Sequence, residues 1–349
     1  MDTRREYLNI LAIESSCDET AAAVVRDAED SADRILSNII RSQIHVHAPF
    51  GGVVPEIAAR NHLDAIDTVI EEAIRAGGLA ISEIDVIAAT AGPGLIGGLL
   101  VGMVSAKTIA LMSQKPFMAI NHLEGHLLTV RLCYDVEFPY LLLLASGGNF
   151  LFAEVMGVGN YRILGQTLDD AAGETFDKVA KMLGLEYPGG PSIEKAARNG
   201  DESRFQYTIP MQRRKGCDVS FSGIKTATKL HIVKLKEVTE QDKADIAASF
   251  QHVVTRFITI QLRKAYEMTD AHPRNVVIAG GVAANSRLRE EVSKFCLERN
   301  LAFCAPPIAL CSDNAAMIGW AAIERIRAGF SFSELDAKTR PRWSIMEID

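Results

Sequence analysis

The pattern that most limits the fold of this 349-residue chain is one succession of apolar runs and polar turns that occurs twice. Each copy has three short apolar runs typical of strands and then an amphipathic helix, with a polar or glycine-rich turn after its first strand. The first copy comprises the segments 8–13, 21–25, 34–40 and 55–76, and the second comprises 140–145, 150–156, 161–164 and 170–183. Two successive β-β-β-α modules predict a duplicated α/β fold with a ligand-binding cleft between its halves.

Further elements follow each module. Apolar patterning predicts strands at 85–90, 275–279 and 302–305, and helices at 98–112, 242–269 and 313–328. We place the domain boundary in the segment 131–139. This gives an N-terminal domain over 1–133 and a C-terminal domain over 134–349, with the C-terminal helix packing back on the first domain.

Composition and charge exclude several classes of protein. An apolar fraction of 48% is enough to form packed cores, so the chain is not disordered. The net charge of −7 argues against coating of nucleic acid by bulk charge, although it leaves room for a local basic patch. The six cysteines form no CxxC pair, and no signal-peptide core precedes the first polar break, so we expect a cytoplasmic protein.

One uncharged stretch, 86–106, has about the length of a membrane span. It contains Pro93 and five glycines, which are Gly92, Gly94, Gly97, Gly98 and Gly102. Clusters of glycine and proline are typical of strand–loop–helix connections in soluble proteins. We therefore expect no membrane segment here.

Two glycine-rich turns follow predicted strands and are candidates for holding an anionic ligand. Glycines let the backbone approach such a group closely, and the turn Ser146-Gly147-Gly148 offers successive amides. The second turn, 280–285, lies between a strand and a helix, where backbone amides bind phosphates. The alternatives are an ordinary hairpin turn at the first site and, at the second, a strand–helix turn in which Asn285 caps the helix.

Three carboxylates, those of Asp170, Glu174 and Asp177, recur at spacings that place them on one face of a predicted helix. Because like charges repel, the stripe favours a cation or a polar ligand nearby. The alternative is a solvated face on which Glu174 pairs with Lys178. Asp169 and Asp170 also stand where the N-capping acids of this helix belong.

The motif AINHLEGHLL (119–128) carries two histidines, His122 and His126, four residues apart. On a helix they lie one turn apart on one face, so both imidazoles can ligate one metal ion, zinc or ferrous iron. Asp313, at the start of a predicted helix, is the best candidate for a third ligand, and the alternative is two surface histidines. In the HExxH motif of zinc proteases a glutamate directly follows the first histidine. Here a leucine takes that place and Glu124 lies about 200° around the helix, so the proteolytic base is missing.

Long motifs along nearly the whole chain resemble one family. They are IESSCDET (13–20), GGVVPEIAARNH (51–62), AGPGLIGGLLVG (91–102), INHLEGH (120–126), SGGN (146–149), DDAAGETFDKVAKMLGLEYPGGP (169–191), FSGIKTA (221–227), GGVAANSRLR (280–289), CSDNAAMIG (311–319) and RPRW (340–343). On these motifs the sequence is identified as a member of the bacterial tRNA N6-adenosine threonylcarbamoyltransferases, of the universal family formerly described as O-sialoglycoprotein endopeptidases. One departure is that many bacterial members have His-Thr after Ser-Gly-Gly, where this chain has Asn149-Phe150.

The resemblance implies a fold, a metal and a donor pocket. The fold is similar to that of actin, hexokinase and the 70-kDa heat-shock proteins, the ribonuclease H-like ASKHA group. A divalent ion, Fe²⁺ with Zn²⁺ as the alternative, is implied on His122, His126 and Asp313. The implied pocket for threonylcarbamoyl-AMP comprises Leu144, Ala145, Ser146, Gly147, Gly148, Asp177, Gly190, Glu194 and Asn285.

The same resemblance implies the reaction and its partners. The acceptor is N6 of the adenosine 3′ of the anticodon in tRNAs that read codons beginning with A, and AMP is released. The partners are tRNA, a paralogous subunit of the same fold and a small ATPase. Basic residues that could contact tRNA phosphates are Arg213, Arg214, Lys215, Lys225, Lys229, Lys338, Arg340 and Arg342, and the alternative is that they only keep the protein soluble.

Three other classes of function differ from this one in what they require. An ATPase or kinase of the same fold would share the glycine turns and would not need the histidine pair. A metalloendopeptidase would need a base near the metal, which the sequence does not supply there. A non-catalytic scaffold subunit would have lost metal or pocket residues that this chain keeps.

Overall fold

A computed structural model describes residues 7–348 of the chain. These residues form two compact units. The first comprises the described chain up to Val136, Val158–Asn160 and the chain from Ser312 on, and the second comprises Glu137–Gly157 and Tyr161–Cys311. The predicted domains, 1–133 and 134–349, stay a prediction.

Strands and helices occur in both units of the described chain. The strands are β1 (Asn9–Glu14), β2 (Glu19–Arg26), β3 (Ile35–Ser42), β4 (Val86–Gly92), β5 (Phe117–Asn121), β6 (Tyr140–Ala145), β7 (Phe150–Gly157), β8 (Asn160–Gln166), β9 (Asn275–Ala279) and β10 (Ala302–Cys304). The helices are α1 (Ile44–His47), α2 (Pro55–Ala76), α3 (Ile96–Ser113), α4 (His122–Cys133), α5 (Ala172–Met182), α6 (Gly189–Ala197), α7 (Ser222–Lys234), α8 (Glu240–Glu267), α9 (Ser286–Glu298) and α10 (Ala315–Arg327).

The two five-stranded sheets have the same strand order. In the first sheet the order is β3-β2-β1-β4-β5, and β1 pairs antiparallel with β2 and parallel with β4. In the second sheet the order is β8-β7-β6-β9-β10, and β6 likewise pairs antiparallel with β7 and parallel with β9. This repetition confirms the predicted duplicated α/β fold.

The central strands β1, β4 and β6 are buried along their whole length. Strands buried on both faces have nearly continuous apolar sequences, as NILAIE, VIAATAG and YLLLLA do. Glu14 is therefore exceptional, because it is an acidic residue at the carboxyl end of a buried strand. In open α/β sheets, ligands bind beyond the carboxyl ends of the strands.

The uncharged stretch 86–106 forms β4, a loop and the first part of α3. Of the helices described, α3 is the one that could cross a membrane by length and composition, and 39% of it is buried within the protein. Two of its glycines pack against the loop after β1. A Cβ on Gly98 would lie 2.2 Å from the carbonyl oxygen of Ser15, and a Cβ on Gly102 would lie 2.2 Å from the Oγ of Ser15. These glycines are needed for α3 to approach the carboxyl end of β1.

Four of the strands and helices given above have no counterpart in the sequence prediction. They are α1, β5, α6 and α7. The helix α7 buries only Ile224 and Thr228, so its sequence carries little apolar periodicity. The helix α6 is short and begins Gly-Gly-Pro, which is a turn composition.

The prediction that Asp169 and Asp170 cap α5 is wrong. Ala171 occupies the N-cap position and makes no side-chain hydrogen bond there. Asp169 instead accepts a hydrogen bond of 2.9 Å from the backbone nitrogen of Phe221. Asp170 is bonded to two lysines, as described below. Both acids are used in contacts with distant residues that local sequence does not specify.

The C-terminal segment after α10 packs on the first unit. The backbone nitrogen of Arg340 donates to the carbonyl of Ala91 at 2.7 Å. Trp343 is 7% exposed, belongs to the apolar core of this unit, and accepts a 3.4 Å hydrogen bond on its carbonyl from Asn121 Nδ2. The RPRW motif therefore has a structural role at the ends of β4 and β5.

Replacing Trp343 with alanine should destabilise the first unit. Removing a buried aromatic side chain leaves a cavity, and the free energy of unfolding should fall by about 3–5 kcal/mol. Urea denaturation followed by circular dichroism measures this loss, and Trp343→Phe should lose less. If Trp343→Ala unfolds at the same urea concentration as the parent, the segment does not belong to the core.

Candidate metal centre and glycine loops

The metal-ligand candidates lie at the start of α4, which is fixed by its N-cap. Asn121 ends β5 and accepts hydrogen bonds on Oδ1 from the backbone nitrogens of Leu123 and Glu124. His122 is the first helical residue, and His126 follows one turn later. The two rings are buried, with centroids 4.9 Å apart and planes at 89°.

Asp313 reaches this histidine pair from the segment before α10. Asn314 caps α10, because its side chain accepts from the backbone nitrogen of Met317, so Asp313 is not the cap. Asp313 Oδ1 lies 3.0 Å from Nε2 of His126 and 3.6 Å from Nε2 of His122. One ligand atom from each residue lies within 4.8 Å of the others. The three residues form a group that could hold a metal ion.

The donor set and its spacing fit a divalent ion of the zinc or ferrous class. Two imidazoles and one carboxylate are typical of open catalytic sites. Metal–ligand bonds of about 2.0–2.2 Å in a tetrahedral site separate the ligand atoms by about 3.3–3.6 Å. The separations of Asp313 Oδ1 from the two imidazole nitrogens, 3.0 and 3.6 Å, lie close to that range.

The charges around His122 favour a cation at this position. Burial lowers the pKa of His122, but the charges of Asp313 and Glu14 outweigh burial and raise this pKa to about 9. Burial raises the pKa of Asp313, whereas the charge of His122 and the hydrogen bond from His126 lower it to about 2. The buried carboxylate of Glu14 and the half-buried carboxylate of Asp313 thus attract positive charge to one small volume.

Sequence reasoning missed Glu14, which lies behind His122 and outside this group of three. Its Oε2 is 3.0 Å from Nδ1 of His122 and accepts a 2.5 Å hydrogen bond from Thr90 Oγ1. Its Oε1 accepts one from the backbone nitrogen of Ser16, also at 2.5 Å. An acid that ends a buried strand, within the motif IESSCDET, was the feature that could have revealed it.

Glu124 does not act at this centre. Its side chain is fully buried and forms an ion pair with Arg325 of α10, with Oε2 3.4 Å from Nε. This agrees with the helical position expected of Glu124, facing away from the histidine pair. The residues near the histidines therefore do not reproduce the HExxH arrangement.

The first glycine loop lies in the second unit, after β6. Leu144 and Ala145 are buried strand residues. Ser146 closes a hairpin turn, since its nitrogen donates to the Asn149 carbonyl at 2.8 Å and its Oγ accepts from the Asn149 nitrogen at 3.0 Å. The alternative of a hairpin turn therefore describes the backbone. Gly147 and Gly148 are exposed, and a Cβ on either would meet no atom within 4 Å.

Phe150, the departure from the family pattern, is a core residue. It is 2% exposed and packs edge-on against Phe152 and Phe221, with ring centroids 5.3 and 5.4 Å away. Its side chain contributes to the apolar core of the second unit. The threonine that many bacterial members have at this position would place its hydroxyl in that core.

The second glycine turn touches the first. Gly280 has a φ of +86°, and a Cβ there would lie 2.5 Å from the carbonyl oxygen of Ala145. Only glycine avoids both the strain of this φ and that overlap. The residues after it form a 3₁₀ turn over Gly281–Ala284, and Asn285 then caps α9 through a 3.0 Å hydrogen bond from the nitrogen of Leu288.

Glu194 and Asn285 lie together at the start of α9. Asn285 Nδ2 donates to Gln251 Oε1 at 2.9 Å and to Glu194 Oε2 at 3.4 Å. Glu194 Oε1 accepts from the backbone nitrogen of Ser286 at 3.2 Å. An open cavity of about 220 Å³ adjoins Glu194, Gln251, Ser286 and Arg287. Pockets for whole small-molecule ligands usually have volumes of about 300–1,000 Å³. This cavity is smaller, so it suits only part of such a ligand.

Asp177 and Gly190 lie at the junction of α5 and α6. Asp177 Oδ1 accepts a 2.6 Å hydrogen bond from the nitrogen of Gly189. A Cβ on Gly189 would lie 2.5 Å from the Cα of Asp177, whereas one on Gly190 would meet no atom within 4 Å. Asp177 thus holds the start of α6, and Gly190 leaves open space beside it.

The predicted stripe of three carboxylates on one helix face is wrong. Helix α5 begins at Ala172, so Asp170 lies outside it. Lys178 Nζ is 2.8 Å from Asp170 and 2.7 Å from Glu174, and Lys225 Nζ also pairs with Asp170. Lysines of the chain itself pair with Asp170 and Glu174, so these two acids do not indicate a metal site.

Removing one histidine of the metal-ligand group should abolish tight metal binding. Loss of a residue that only hydrogen-bonds to a metal ligand typically lowers the metal affinity by about 10–100-fold. Loss of the ligand itself, in His126→Ala, should therefore lower the metal affinity by more than about 100-fold. Calorimetric titration of the metal-free protein with Zn²⁺ measures this. His45→Ala, at an exposed histidine of α1, is the control and should bind like the parent. Equal affinity in all three proteins would show that the ion binds elsewhere.

Comparisons with known proteins agree with one family. The family model described as TsaD: tRNA N6-adenosine threonylcarbamoyltransferase matches residues 34–320. The protein of that name from Rhodospirillum rubrum is 52% identical over 342 residues, which cover 96% of this chain and 94% of that protein. The protein of that name from Paramagnetospirillum magneticum is 52% identical over 340 residues, which cover 96% of this chain and 96% of that protein. The one from Sinorhizobium medicae is 50% identical over 343 residues, which cover 97% of this chain and 95% of that protein.

Solved structures show the fold class. Full-length HypF, in a phosphate- and nucleotide-bound form, has a TM-score of 0.60 at 13% identity over 93% of this chain, which spans 47% of that protein. The activator of 2-hydroxyisocaproyl-CoA dehydratase from Clostridium difficile, with bound ADPNP, has a TM-score of 0.50 at 16% identity, covering 94% of this chain and 100% of that one. These likenesses confirm the predicted ASKHA-type architecture and concern the fold alone.

Proposed function

Because the chain belongs to the tRNA N6-adenosine threonylcarbamoyltransferase family, we propose that it transfers a threonylcarbamoyl group to N6 of an adenosine in tRNA. The identity of about half of all residues over nearly the whole length of its relatives is the observation that carries this proposal. The grouping of His122, His126 and Asp313 supports it, because this set of ligands suits a Lewis-acid ion at an acyl-transfer site.

The donor that we propose is threonylcarbamoyl-AMP, a mixed anhydride that needs no further activation. N6 of the adenosine 3′ of the anticodon attacks the carbamoyl carbon and forms a C–N bond. The bond from that carbon to the phosphate oxygen breaks, AMP leaves with the electron pair, and N6 loses a proton. No covalent intermediate with the protein is required.

Each group of residues has a role in this proposal. Gly147 and Gly148 present exposed backbone to the donor phosphate beside the buried Ser146, and Asp177, Gly190, Glu194 and Asn285 complete the donor site with Leu144 and Ala145. His122, His126 and Asp313 would hold one Fe²⁺ or Zn²⁺ ion, which supplies Lewis-acid polarisation of a carbonyl when bound. The target base must leave its stack to be modified, as in other enzymes that act on a base.

The glycine loop permits a sharp test of donor binding. Gly147 has open space at Cβ and no left-handed φ, so Gly147→Ala should fold normally. A methyl group in a close-fitting site changes substrate discrimination by about 10–200-fold, so the KM for threonylcarbamoyl-AMP should rise by at least about tenfold. Modified adenosine is quantified by mass spectrometry of digested tRNA.

Gly157→Ala is the matched control, because Gly157 also has open space at Cβ and no left-handed φ. It should keep the KM of the parent. A Gly147→Ala protein with an unchanged KM would remove this loop from the donor site.

For tRNA contact we propose the loop 213–215. Arg213, Arg214 and Lys215 are exposed. Lys264 Nζ holds this loop through the carbonyls of Gln212 and Arg214, at 3.3 and 3.1 Å. Two other candidates for tRNA contact form ion pairs within the protein: Lys225 pairs with Asp170, and Arg340 pairs with Glu347 at 2.8 Å.

Reversing two charges in this loop should weaken tRNA binding. The slope of log affinity against log salt concentration is negative. The double variant Arg213→Glu with Arg214→Glu should reduce its magnitude by about 2, because each lost phosphate contact reduces it by about 1. Filter binding at several salt concentrations measures the slope. The control reverses two charges on and after α9, Lys294→Glu with Arg299→Glu, and should leave the slope unchanged. Identical slopes for both double variants and the parent would contradict the assignment.

We further propose that the protein works in the cytoplasm with a paralogous subunit of the same fold and a small ATPase. The proposed iron preference, the donor and these partners rest on the family resemblance.

A further inference from the structure

The carboxylate of Glu14 lies behind one of the proposed metal ligands and does not itself belong to the ligand group. Glu14 is completely buried at the carboxyl end of β1. Among the described residues, its ion-pair partner is His122, whose Nδ1 lies 3.0 Å from Oε2. The other nitrogen of the same ring, Nε2, faces Asp313 at 3.6 Å.

We infer that Glu14 is a positioning residue that holds His122 with Nδ1 protonated and with the lone pair of Nε2 directed to the metal. This inference rests on the metal-binding part of the proposed function. A hydrogen bond from one ring nitrogen to a carboxylate fixes the tautomer and orientation of a ligating histidine, and it makes the other nitrogen a stronger ligand.

The two histidines differ in what lies behind them. Nδ1 of His122 has the Glu14 carboxylate, with Ser16 Oγ at 3.1 Å as a second neighbour. Nδ1 of His126 is buried and has no hydrogen-bond partner within the part of the chain that the structure describes. Only His122 therefore has a carboxylate that can set its tautomer, and the effect of Glu14 should be confined to that ligand.

Glu14 is itself held on both of its oxygens. Thr90 of the adjacent parallel strand β4 donates to Oε2, and the backbone of Ser16 donates to Oε1, each at 2.5 Å. The loop after β1 is clamped in turn by α3, since Ser15 Oγ donates to the carbonyl of Gly98 at 2.9 Å. These bonds leave the carboxylate little freedom, which is what a positioning group requires.

The test measures metal binding by the full-length protein without reference to activity. Metal-free parent, Glu14→Gln and Glu14→Ala are titrated with Co²⁺ and Zn²⁺ against a chelator. Both Glu14 variants should bind about 10–100-fold more weakly. The visible Co²⁺ spectrum should shift in both, because the orientation of one imidazole changes, and a merely structural role would leave it unmoved.

Glu124→Gln is the matched control. Glu124 is also a fully buried glutamate, and it lies on the same helix as His122, but its partner is Arg325. This variant is expected to lose stability and to keep the metal affinity and the Co²⁺ spectrum of the parent. Melting curves of the metal-free proteins separate loss of folding from loss of binding.

A second variant keeps the inference testable if both Glu14 proteins fail to fold. Thr90→Val removes one hydrogen bond to Oε2 at nearly constant shape, and it should weaken Co²⁺ binding several-fold. Unchanged affinity and spectrum in every variant that folds would overturn the role of Glu14 while the metal site itself stands. Failure of the parent to bind either ion would overturn the metal site and this inference together.

Discussion

The hydrogen bond between Glu14 and His122 joins the carboxyl end of the central strand β1 to the first residue of α4. A carboxylate is tolerated there only because hydrogen bonds saturate it, since an unpaired buried charge is very costly. The neighbouring elements meet these needs: β4 supplies Thr90, and the cap on Asn121 fixes where α4 begins. The group that could bind a metal is therefore built into the core of the first unit.

Much of the fold could be predicted because the central strands are continuous apolar runs and α2 has a clear helical period. The missed helices α6 and α7 bury few side chains and leave little periodicity in the sequence, whereas the missed strand β5 is fully buried but only five residues long. The N-cap of α5 was predicted wrongly because Asp170 pairs with Lys225, 55 residues away. A local rule for helix ends cannot include such a partner.

The candidate metal centre shows the same limit. His122 and His126 stand at a spacing that predicts a shared helix face, so the sequence alone could propose them. No spacing rule links Asp313 to this pair, because it lies 187 residues from His126, and its position at the start of a predicted helix is what indicates it. Glu14 is marked in the sequence as an acid at the end of an apolar strand, but its contact with His122, 108 residues later, could be recognised only once the strand and the helix were seen to meet. A tertiary hydrogen bond has no local pattern that sequence reasoning can detect.

The glycine loops illustrate how one conformation can satisfy two interpretations. The turn at 146–149 is an ordinary hairpin, yet it leaves Gly147 and Gly148 exposed with open space at Cβ. Gly280, in contrast, is required by its own backbone and by the carbonyl of Ala145. Packing explains the second glycine fully, whereas the exposed pair has no structural requirement that the described residues reveal, which makes it the better candidate for contact with a ligand.

The most direct measurement is a complete transfer reaction with synthetic threonylcarbamoyl-AMP and unmodified tRNA, in the presence of the partner subunit and the small ATPase. Modified adenosine and released AMP are counted for the parent protein, for the metal-stripped protein and after return of Fe²⁺ or Zn²⁺. AMP and modified adenosine should form in equal amounts, be lost when the metal is stripped and be restored when the ion is returned. Absence of modified adenosine from the complete reaction, or full transfer by the stripped protein, would contradict it.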